Sequence, residues 1–240
     1  MADRRDPTRG GHEMNRGLLE TESLSRTYHP GTSSEVRALS DVSLAIPAGS
    51  YVVLDGPSGS GKTTLLSLLG ALDRPTSGRV RFADRNLEDC SDVELARQRR
   101  RMGFVFQDFS LIPRLPTWEN ITYPQIPRGL SAAKRRQAAD DVLSRLGLAA
   151  KADTPPEELS GGEQQRVAVA RALIGDPEVI FADEPTSNLD RRAAAELAAI
   201  LQEINAAGTT LVVSTHDTDL KESASLVFLL EDGRLRDDTA

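Results

Sequence analysis

A glycine-rich octapeptide between two apolar segments constrains this chain more than any other feature. Residues 56–63 read Gly-Pro-Ser-Gly-Ser-Gly-Lys-Thr and fit the pattern G-x-x-x-x-G-K-[ST]. Residues 51–54 before it are typical of a short buried strand, and residues 64–69 after it are typical of the start of an apolar helix. Because a flexible Gly-Ser linker would not stand between two apolar elements, this order predicts a phosphate-binding loop.

The chemistry of the loop indicates which atoms would hold phosphate. Glycines let the backbone turn tightly so that several N–H groups converge, and the following helix adds unpaired N–H groups and a partial positive charge. Lys62 would bring a full charge to the outer phosphates, and the hydroxyl of Thr63 could bind Mg²⁺. The residues predicted to bind the phosphates are Gly56, Pro57, Ser58, Gly59, Ser60, Gly61, Lys62, Thr63 and Thr64.

Length and composition limit the class of protein. A chain of 240 residues suits one globular unit, with room for an inserted subdomain. The net charge of −7 argues against broad nucleic-acid binding, so no nucleic-acid partner is expected. Arginines at positions 97 and 99–101 leave a local basic patch open, although a solvated helix face is the simpler interpretation. The single cysteine, Cys90, excludes an internal disulfide.

The ends of the chain and its hydropathy bear on targeting. Residues 1–17 are polar and charged and have no apolar stretch, so they are predicted to form a disordered tail rather than a signal peptide. Either Met1 or Met14 could be the natural start, and the sequence does not decide between them. No run approaches 18 apolar residues, so the chain itself is not expected to cross a membrane.

Strands and helices alternate along most of the chain, which predicts an α/β protein with a mainly parallel sheet. Residues 18–54 alternate polar and apolar side chains between turn signals and are predicted to form short antiparallel strands. Repeated prolines predict a loop, with a short helix at most, over residues 108–129. Predicted helices cover residues 92–101, 131–146, 160–174 (closed by Gly175) and 191–206; predicted strands cover 79–82, 102–106, 179–182 and 209–214, with a hairpin at 226–235.

Residues 159–166, Leu-Ser-Gly-Gly-Glu-Gln-Gln-Arg, form a second glycine motif. Ser160 and Glu163 have the spacing of a capping box at the start of a helix, and a cap alone would explain these two residues. Gly161 and Gly162 point further, because each glycine in a helical turn costs about 1 kcal/mol relative to alanine. Bare N–H groups that must approach a ligand would justify that cost, so this helix start is predicted to be a second anion site.

Two carboxylates follow the apolar run at residues 179–182. A buried strand there would place Asp183 at its carboxyl edge, beside the phosphate loop. Two adjacent acids at such a place are costly without a cation, which favours Mg²⁺. Asp183 would hold the metal, largely through water, and Glu184 would orient and polarise an attacking water. A strand that ends in a solvated acidic turn is the alternative.

These motifs occur together in an order that resembles the ATPase subunits of ATP-binding cassette (ABC) transporters, over residues 18–235. The resemblance implies a P-loop NTPase core with a mainly parallel sheet, an N-terminal antiparallel β subdomain and an inserted α-helical subdomain. It implies an ATPase domain over residues 18–240, with the RecA-like core and its antiparallel part at about 18–90 and 160–240 and the helical subdomain at about 91–159. Residues 69–78 and the helix after residue 160 are most similar to the lipoprotein-release and macrolide-export group.

The resemblance also implies roles for residues that carry no signal alone. Gln107 stands where the family has a glutamine that contacts Mg²⁺ or the attacking water, and His216 stands where a histidine contacts the γ-phosphate. Asp190 lies in the segment that meets a second subunit, and it would also cap its own helix. Tyr28 stands where an aromatic ring stacks on adenine; a core tyrosine and, for His216, a structural histidine are the competing interpretations.

The implied site therefore has three groups of residues. The implied catalytic residues are Glu184, His216 and Gln107. The implied metal ligands are Thr63, Gln107 and Asp183. Beyond the phosphate loop, the implied nucleotide contacts are Tyr28, Ser160, Gly161, Gly162, Glu163 and Asp190.

The resemblance implies ATP and Mg²⁺ as cofactors and a homodimer in which residues 159–166 of one copy close on the nucleotide of the other. A separately encoded transmembrane permease is the expected partner, and the chain is expected on the cytoplasmic side of the membrane as a peripheral subunit. The expected function is ATP-driven export or extraction of a substrate. An ATPase that drives cell-wall remodelling is an alternative. A DNA-maintenance ATPase and a tandem translation factor are disfavoured, because the chain has no heptad run and one cassette.

Overall fold

The computed structural model describes residues 17–236, in which two sheets are flanked by helices. The strands are β1 (Leu19–Tyr28), β2 (Val36–Ile46), β3 (Tyr51–Asp55), β4 (Ser77–Phe82), β5 (Arg85–Asn86), β6 (Met102–Val105), β7 (Val179–Asp183), β8 (Thr210–Ser214), β9 (Leu226–Glu231) and β10 (Arg234–Leu235). Of the predicted tail at residues 1–17, residues 1–16 lie outside the described residues, whereas Gly17 is buried and its N–H donates to Oε1 of Glu20 at 2.8 Å.

Helices flank the sheets, and the chain between β6 and β7 adds helices that pack against one another. They are α1 (Lys62–Leu69), α2 (Asp92–Arg99), α3 (Thr117–Thr122), α4 (Ala132–Arg145), α5 (Gly161–Leu173), α6 (Arg191–Ala206) and α7 (Thr218–Glu222), with 3₁₀ turns at Tyr123–Arg128, Ala149–Lys151 and Pro156–Glu158. Within residues 17–236, none of the helices combines the length and the apolar character that a membrane crossing requires.

The predicted antiparallel part exists, with strand order β2-β1-β4-β5. The predicted parallel sheet also exists, with order β10-β9-β3-β8-β7-β6 and parallel pairing from β9 to β6. One expectation was wrong: residues 51–54 do not belong to the antiparallel strands. As β3 they lie in the parallel sheet, because their run of apolar side chains is covered on both faces.

The hydrophobic core has one layer on each face of the parallel sheet. Val52 and Leu54 of β3 face the layer shared with α1 and the antiparallel sheet, whereas Tyr51 and Val53 face the layer shared with α5 and α6. All four side chains are buried. Burying one large aliphatic side chain stabilises a fold by about 1.5–3 kcal/mol, so these two layers hold the strand ends in fixed positions.

A third apolar cluster joins α3 and α4 to the flank of α5, and it includes Ile121, Leu143 and Val167. The prolines that predicted a loop at residues 108–129 are compatible with the short α3 and the 3₁₀ turn that follows it. Helix α5 ends at Leu173 with Ile174 as its cap, so the predicted closure at Gly175 was displaced by one residue. At this end of the helix the N–H of Ile174 donates to the carbonyl oxygen of Ala170.

The arginine run at positions 97 and 99–101, at the end of α2, is not a single solvated helix face. Helix α2 ends at Arg99, and the guanidinium of Arg99 donates to the carbonyl oxygen of Ala71 at 2.8 Å. Arg101 lies beyond the helix and forms a two-point ion pair with Glu178, with donor–acceptor distances of 2.6 and 3.0 Å. These two side chains join α2 and β6 to their neighbours and explain half of the basic run.

Candidate nucleotide site

The glycine-rich loop connects the end of β3 to α1, and its backbone is shaped to receive an anion. Gly59 and Gly61 adopt φ values of 81° and 105°, which favour glycine. At Gly56, an added Cβ would lie 2.0 Å from the carbonyl oxygen of Leu230, so no larger residue fits there. Ser60 is buried, and its hydroxyl finds no hydrogen-bond partner among residues 17–236. This enclosed hydroxyl does not line the open cleft, so the feature that fits a phosphate ligand is the set of unpaired amides where the glycine loop meets the start of α1.

Lys62 lies over this loop with its side chain almost wholly enclosed. The ammonium donates to the carbonyl oxygens of Gly56 at 2.6 Å and of Pro57 at 3.2 Å. It also lies 3.2 Å from Nε2 of His216 and 3.9 Å from Oε1 of Glu184. The loop carbonyls therefore fix a buried positive charge in the cleft, at a position where it can neutralise phosphate oxygens.

Thr63 and Asp183 meet at the ends of α1 and β7. The Thr63 hydroxyl donates to Oδ2 of Asp183 at 2.8 Å, and the Ser214 hydroxyl donates to the other carboxylate oxygen. Ser214 ends β8, which lies between β3 and β7 in the sheet. A hydroxyl and a carboxylate that touch one another form an oxygen donor set of the kind that Mg²⁺ prefers.

Glu184 and His216 complete the wall of the cleft opposite the loop. The Glu184 carboxylate oxygen Oε1 lies 3.5 Å from Nε2 of His216. Glu184 adopts a φ of 44°, an uncommon value for a residue with a side chain. Its N–H donates to the carbonyl oxygen of Ser214 at 2.9 Å, which holds the backbone in this conformation. The carboxylate is thereby turned toward Lys62 and His216 rather than along the strand.

These side chains share one open cleft of ≈ 580 Å³. Gln107, which follows β6 by two residues, lines it as well. The structure therefore brings together most of the residues that the sequence singled out. The predicted residues lining this cleft are Tyr28, Ser58, Gly59, Gly61, Lys62, Thr63, Thr64, Gln107, Asp183, Glu184 and His216.

Tyr28 also lines this cleft, and neighbours that the sequence did not indicate hold it in place. The hydroxyl donates to Oδ2 of Asp73 at 3.1 Å, and Arg26 donates to Oδ1 of the same carboxylate at 2.9 Å. The Arg26 guanidinium carbon lies 4.5 Å from the centre of the Tyr28 ring. One face of the ring is covered by arginine and the hydroxyl is hydrogen-bonded, so the ring is fixed in orientation.

The second glycine motif lies outside this cleft. Ser160 and Glu163 form the predicted capping box: the Glu163 carboxylate accepts from the Ser160 N–H at 2.8 Å, and the Glu163 N–H donates to the Ser160 hydroxyl at 3.3 Å. The hydrogen bonds that the carboxylate accepts from the Ser160 N–H and hydroxyl, together with Lys151, hold the pKa of Glu163 below its usual value, although partial burial raises it. Ser160, Gly161 and Gly162 line a separate cleft of ≈ 330 Å³ together with Asp190.

Asp190 has the capping role that the sequence predicted. Its carboxylate accepts from the N–H of Ala193 at 2.9 Å at the start of α6. Both helix starts, α5 and α6, therefore open on the second cleft with their N–H groups. Within one chain neither start reaches the cleft around Lys62.

Sequence reasoning missed several residues that shape the site, including Ser214, Asp73 and Arg26. Ser214 ends an apolar strand, and one serine at such a position gives no signal by itself. Asp73 is 45 residues from Tyr28 along the chain, and the packing of α1 against β4 together with the pairing of β4 with β1 brings them together. The strand ends and the turn after α1 supply these contacts, which periodicity does not reveal.

Known proteins are similar to this chain in sequence and in fold. The profile of the ABC transporter family matches residues 39–187. The macrolide export ATP-binding/permease protein MacB of Nitrosomonas europaea is 45% identical over 219 residues, 91% of this chain and 33% of that protein. The pyoverdine export ATP-binding/permease protein PvdT of Pseudomonas fluorescens is 42% identical over 228 residues, 95% of this chain and 35% of that protein. The chain thus spans about a third of the length of these curated relatives.

Solved structures of ATP-binding cassettes resemble the fold of this chain. The dimeric post-hydrolysis state of the ATP-binding cassette MJ0796, bound to ADP and Pi, has a TM-score of 0.84 and 39% sequence identity, and the match covers 91% of this chain and 97% of that one. CbiO1 from Clostridium perfringens, part of the ABC transporter complex CbiONQ, has a TM-score of 0.80 and 29% identity, with 92% and 87% covered. The chain therefore belongs to the ABC transporter family and is an ATPase domain of that family.

Proposed function

We propose that this chain binds and hydrolyses Mg-ATP as the nucleotide-binding subunit of an export-type ABC transporter. One observation carries the proposal: the buried ammonium of Lys62, the Thr63–Asp183 pair and the Glu184 carboxylate converge in a single cleft. That set matches the needs of phosphoryl transfer to water, which are charge neutralisation, a metal site and a group that orients the nucleophile.

Each residue of the cleft has a distinct task in this proposal. Lys62 and the loop amides bind the phosphates, and Thr63, Asp183 and Gln107 hold Mg²⁺, which supplies charge neutralisation at the phosphate oxygens. Glu184 orients and polarises the attacking water, because its carboxylate projects into the cleft on a backbone fixed by Ser214. His216 lies 3.5 Å from Glu184 in the same cleft and would contact the γ-phosphate.

The base of the nucleotide would lie against Tyr28. Arg26 covers one face of the Tyr28 ring, and because Tyr28 lines the nucleotide cleft, the opposite face would stack on the base. Asp73 anchors both side chains, which reduces the conformational entropy lost when the base binds. A rigid aromatic platform of this kind favours adenine through stacking rather than through hydrogen bonds.

The active form is a head-to-tail homodimer in this proposal. The start of α5, with Ser160 and Gly161, lines a cleft separate from the one that holds Lys62, so one chain offers two half-sites. The start of α5 in one copy, with Asp190 beside it, would close on the nucleotide held by the other copy. The MJ0796 cassette, which is dimeric, supports this arrangement.

A membrane permease is the proposed partner, carried by a separate polypeptide, with this chain as a peripheral subunit on the cytoplasmic side. The MacB and PvdT relatives are ATP-binding/permease proteins, and this chain matches about a third of each. An apolar cleft of ≈ 400 Å³ lies between β6 and the 3₁₀ turn Tyr123–Arg128. Leu72 and Phe106 line it and are exposed, as are Tyr123 and Ile126 of that turn, so a permease segment would cover these side chains.

Phosphate release by the purified chain tests the proposal. We expect hydrolysis of ATP that requires Mg²⁺ and stops when EDTA removes the metal. Because each site needs two copies, the activity per milligram should rise with protein concentration and then saturate. Hydrolysis that proceeds equally well in EDTA, or whose specific activity stays constant on dilution, would contradict the metal site or the shared site respectively.

A further inference from the structure

Arg171, on the third turn of α5, holds the backbone of the segment that follows Gln107. Its Nη2 donates to the carbonyl oxygen of Phe109 at 2.7 Å, and its Nη1 donates to the carbonyl oxygen of Ser110. Arg171 and Ser110 are separated by 61 residues along the chain. A single guanidinium therefore joins the helix of the second glycine motif to the turn beside the nucleotide cleft.

The turn at residues 108–110 adopts a backbone that needs such support. Phe109 and Ser110 have φ values of 61° and 45°, so two consecutive residues with side chains adopt the left-handed conformation. Conformations of this kind persist where surrounding contacts hold them. The Ser110 hydroxyl donates to Asp108 at 2.6 Å, and the two carbonyl oxygens of Phe109 and Ser110 accept from Arg171. The turn thus presents its carbonyl groups to one cation.

The charge of Arg171 is committed to these carbonyl groups. The side chain is partly buried, and burial lowers the pKa of the guanidinium, while the negative charge of Asp108 acts in the opposite direction. Within the described chain, no carboxylate lies within ion-pair distance of Arg171. A desolvated charge requires hydrogen bonds, so loss of the two carbonyl acceptors would be costly to the folded state. Arginine suits this task because its planar fork reaches two acceptors at once.

A second side chain holds the residue before the turn. Nδ2 of Asn188, in the segment between β7 and α6, donates to the carbonyl oxygen of Gln107 at 2.7 Å. Asn188 also lines the second cleft, beside Ser160 and Gly161. The backbone that carries Gln107 is thus fixed from both sides, by α5 and by the segment before α6. Asn188 belongs to the surface that faces the second copy in the proposed dimer, whereas Arg171 lines the apolar cleft beside the 3₁₀ turn Tyr123–Arg128.

We infer that Arg171 is a positioning residue for Gln107: through the carbonyl groups of Phe109 and Ser110 it keeps the Gln107 side chain in the nucleotide cleft. The inference rests on the proposed function, because it assigns Gln107 to the metal and the attacking water. It adds that the start of α5, which would contact the nucleotide of the second copy, is mechanically connected to Gln107 of its own copy. Arg171 touches no nucleotide in this arrangement and acts only through the turn.

The test is a double-mutant cycle that combines Arg171→Met with Gln107→Ala. Arg171→Met should lower kcat by about 10- to 100-fold, the range expected when a reacting group is misplaced by about 1 Å, and should leave the KM for ATP unchanged. In the Gln107→Ala background the same substitution should lower kcat no further, because both changes remove one interaction. Arg145→Met, an exposed arginine on α4, is the matched control and should not alter kcat.

Hydrogen exchange measured on the nucleotide-free protein supplies a readout that is independent of turnover. Arg171→Met should speed exchange of the amides at 108–112 by roughly tenfold or more and leave the strands β3 and β7 unchanged. Arg171→Lys keeps the charge without the two-pronged fork, so it should fall between the wild type and Arg171→Met in both assays. The lysine variant carries the test if the methionine variant does not fold.

The inference is overturned by unchanged exchange at 108–112, by full wild-type kcat in Arg171→Lys, or by a kcat loss that adds fully to that of Gln107→Ala. Failure of the proposed function would look different. A wild-type chain without Mg-ATP hydrolysis would remove the kinetic arm, whereas the exchange arm would still report whether Arg171 holds the turn. Faster exchange at 108–112 with unchanged kcat would show a merely structural role and would also contradict the inference.

Discussion

Replacing Glu184 by glutamine is the sharpest test of the cleft chemistry. Glutamine has the shape of glutamate, so the 3.5 Å approach to His216 and the φ of 44° can both persist. Only the negative charge and the ability to accept a proton are lost. The substitution therefore separates the chemical role of the carboxylate from its place in the packing.

The expected effects have opposite signs for binding and for chemistry. General-base assistance is worth about 10²–10⁴-fold in rate, which corresponds to about 3–5 kcal/mol in the barrier, so kcat should fall by that factor. The Glu184 carboxylate lies 3.9 Å from the Lys62 ammonium, a separation at which opposite charges attract by roughly 4 kcal/mol at an effective dielectric constant of 20. Neutralising Glu184 frees that ammonium for phosphate, so the affinity for ATP should be equal or higher.

Phosphate release measures kcat, and titration with ATP measures the affinity. Gel filtration in Mg-ATP shows whether the variant forms a dimer. Glu184→Gln should bind ATP, turn over slowly and accumulate as a dimer, because closure precedes hydrolysis in the proposed cycle. Glu203→Gln, an exposed glutamate on α6, is the matched control and should behave like the wild type. Full turnover in Glu184→Gln, or a loss confined to KM, would remove Glu184 from the chemical step.

Further substitutions test the other parts of the site. Lys62→Ala should weaken ATP binding by about 10- to 100-fold, because charge-assisted hydrogen bonds are worth about 1.5–3 kcal/mol; unchanged affinity by calorimetry would argue against a phosphate contact. Gly161→Asp should fold and bind ATP, because its Cβ would lie 3.7 Å from the nearest atom, yet its charge should prevent ATP-dependent dimers on a sizing column. Ser214→Ala removes a donor to Asp183 and should cost about 1.5–3 kcal/mol in urea unfolding; a wild-type midpoint would contradict that role. Tyr28→Ala should weaken binding of ATP but not of inorganic tripolyphosphate, and equal losses for both ligands would exclude stacking on the base.

Local patterns predicted the elements that carry their own signals. The strands β6, β7 and β8 and the hairpin of β9 and β10 lie within one or two residues of the predicted bounds. Asp232 and Gly233 form the hairpin turn with positive φ values of 48° and 73°. Ser131 accepts from the N–H of Lys134 as the cap of α4, in agreement with the predicted helix start. Helix caps and turns depend on residues that are close together in the chain, so local sequence patterns are sufficient to predict them.

Pairing between distant segments was beyond the reach of those patterns. The apolar run of β3 is compatible with either sheet, and its partners β8 and β9 come more than 150 residues later in the chain. The hydrogen bond between Tyr28 and Asp73 and that between Arg171 and Phe109 depend on the same long-range packing. Contacts like these leave no periodic pattern in the sequence, because the two partners lie on different elements of the fold.

The sequence by itself determined the chemistry that is available: a loop of glycines with Lys62, a capped helix start at Ser160 and adjacent carboxylates after an apolar strand. The tertiary structure decided which of these groups meet. Thr63 and Asp183, 120 residues apart, touch because β3, β8 and β7 are parallel neighbours whose carboxyl ends share one edge of the sheet. The start of α5 lines a different cleft instead. Helix α5 packs against one face of that sheet, whereas α1, which follows the glycine loop, packs against the other face.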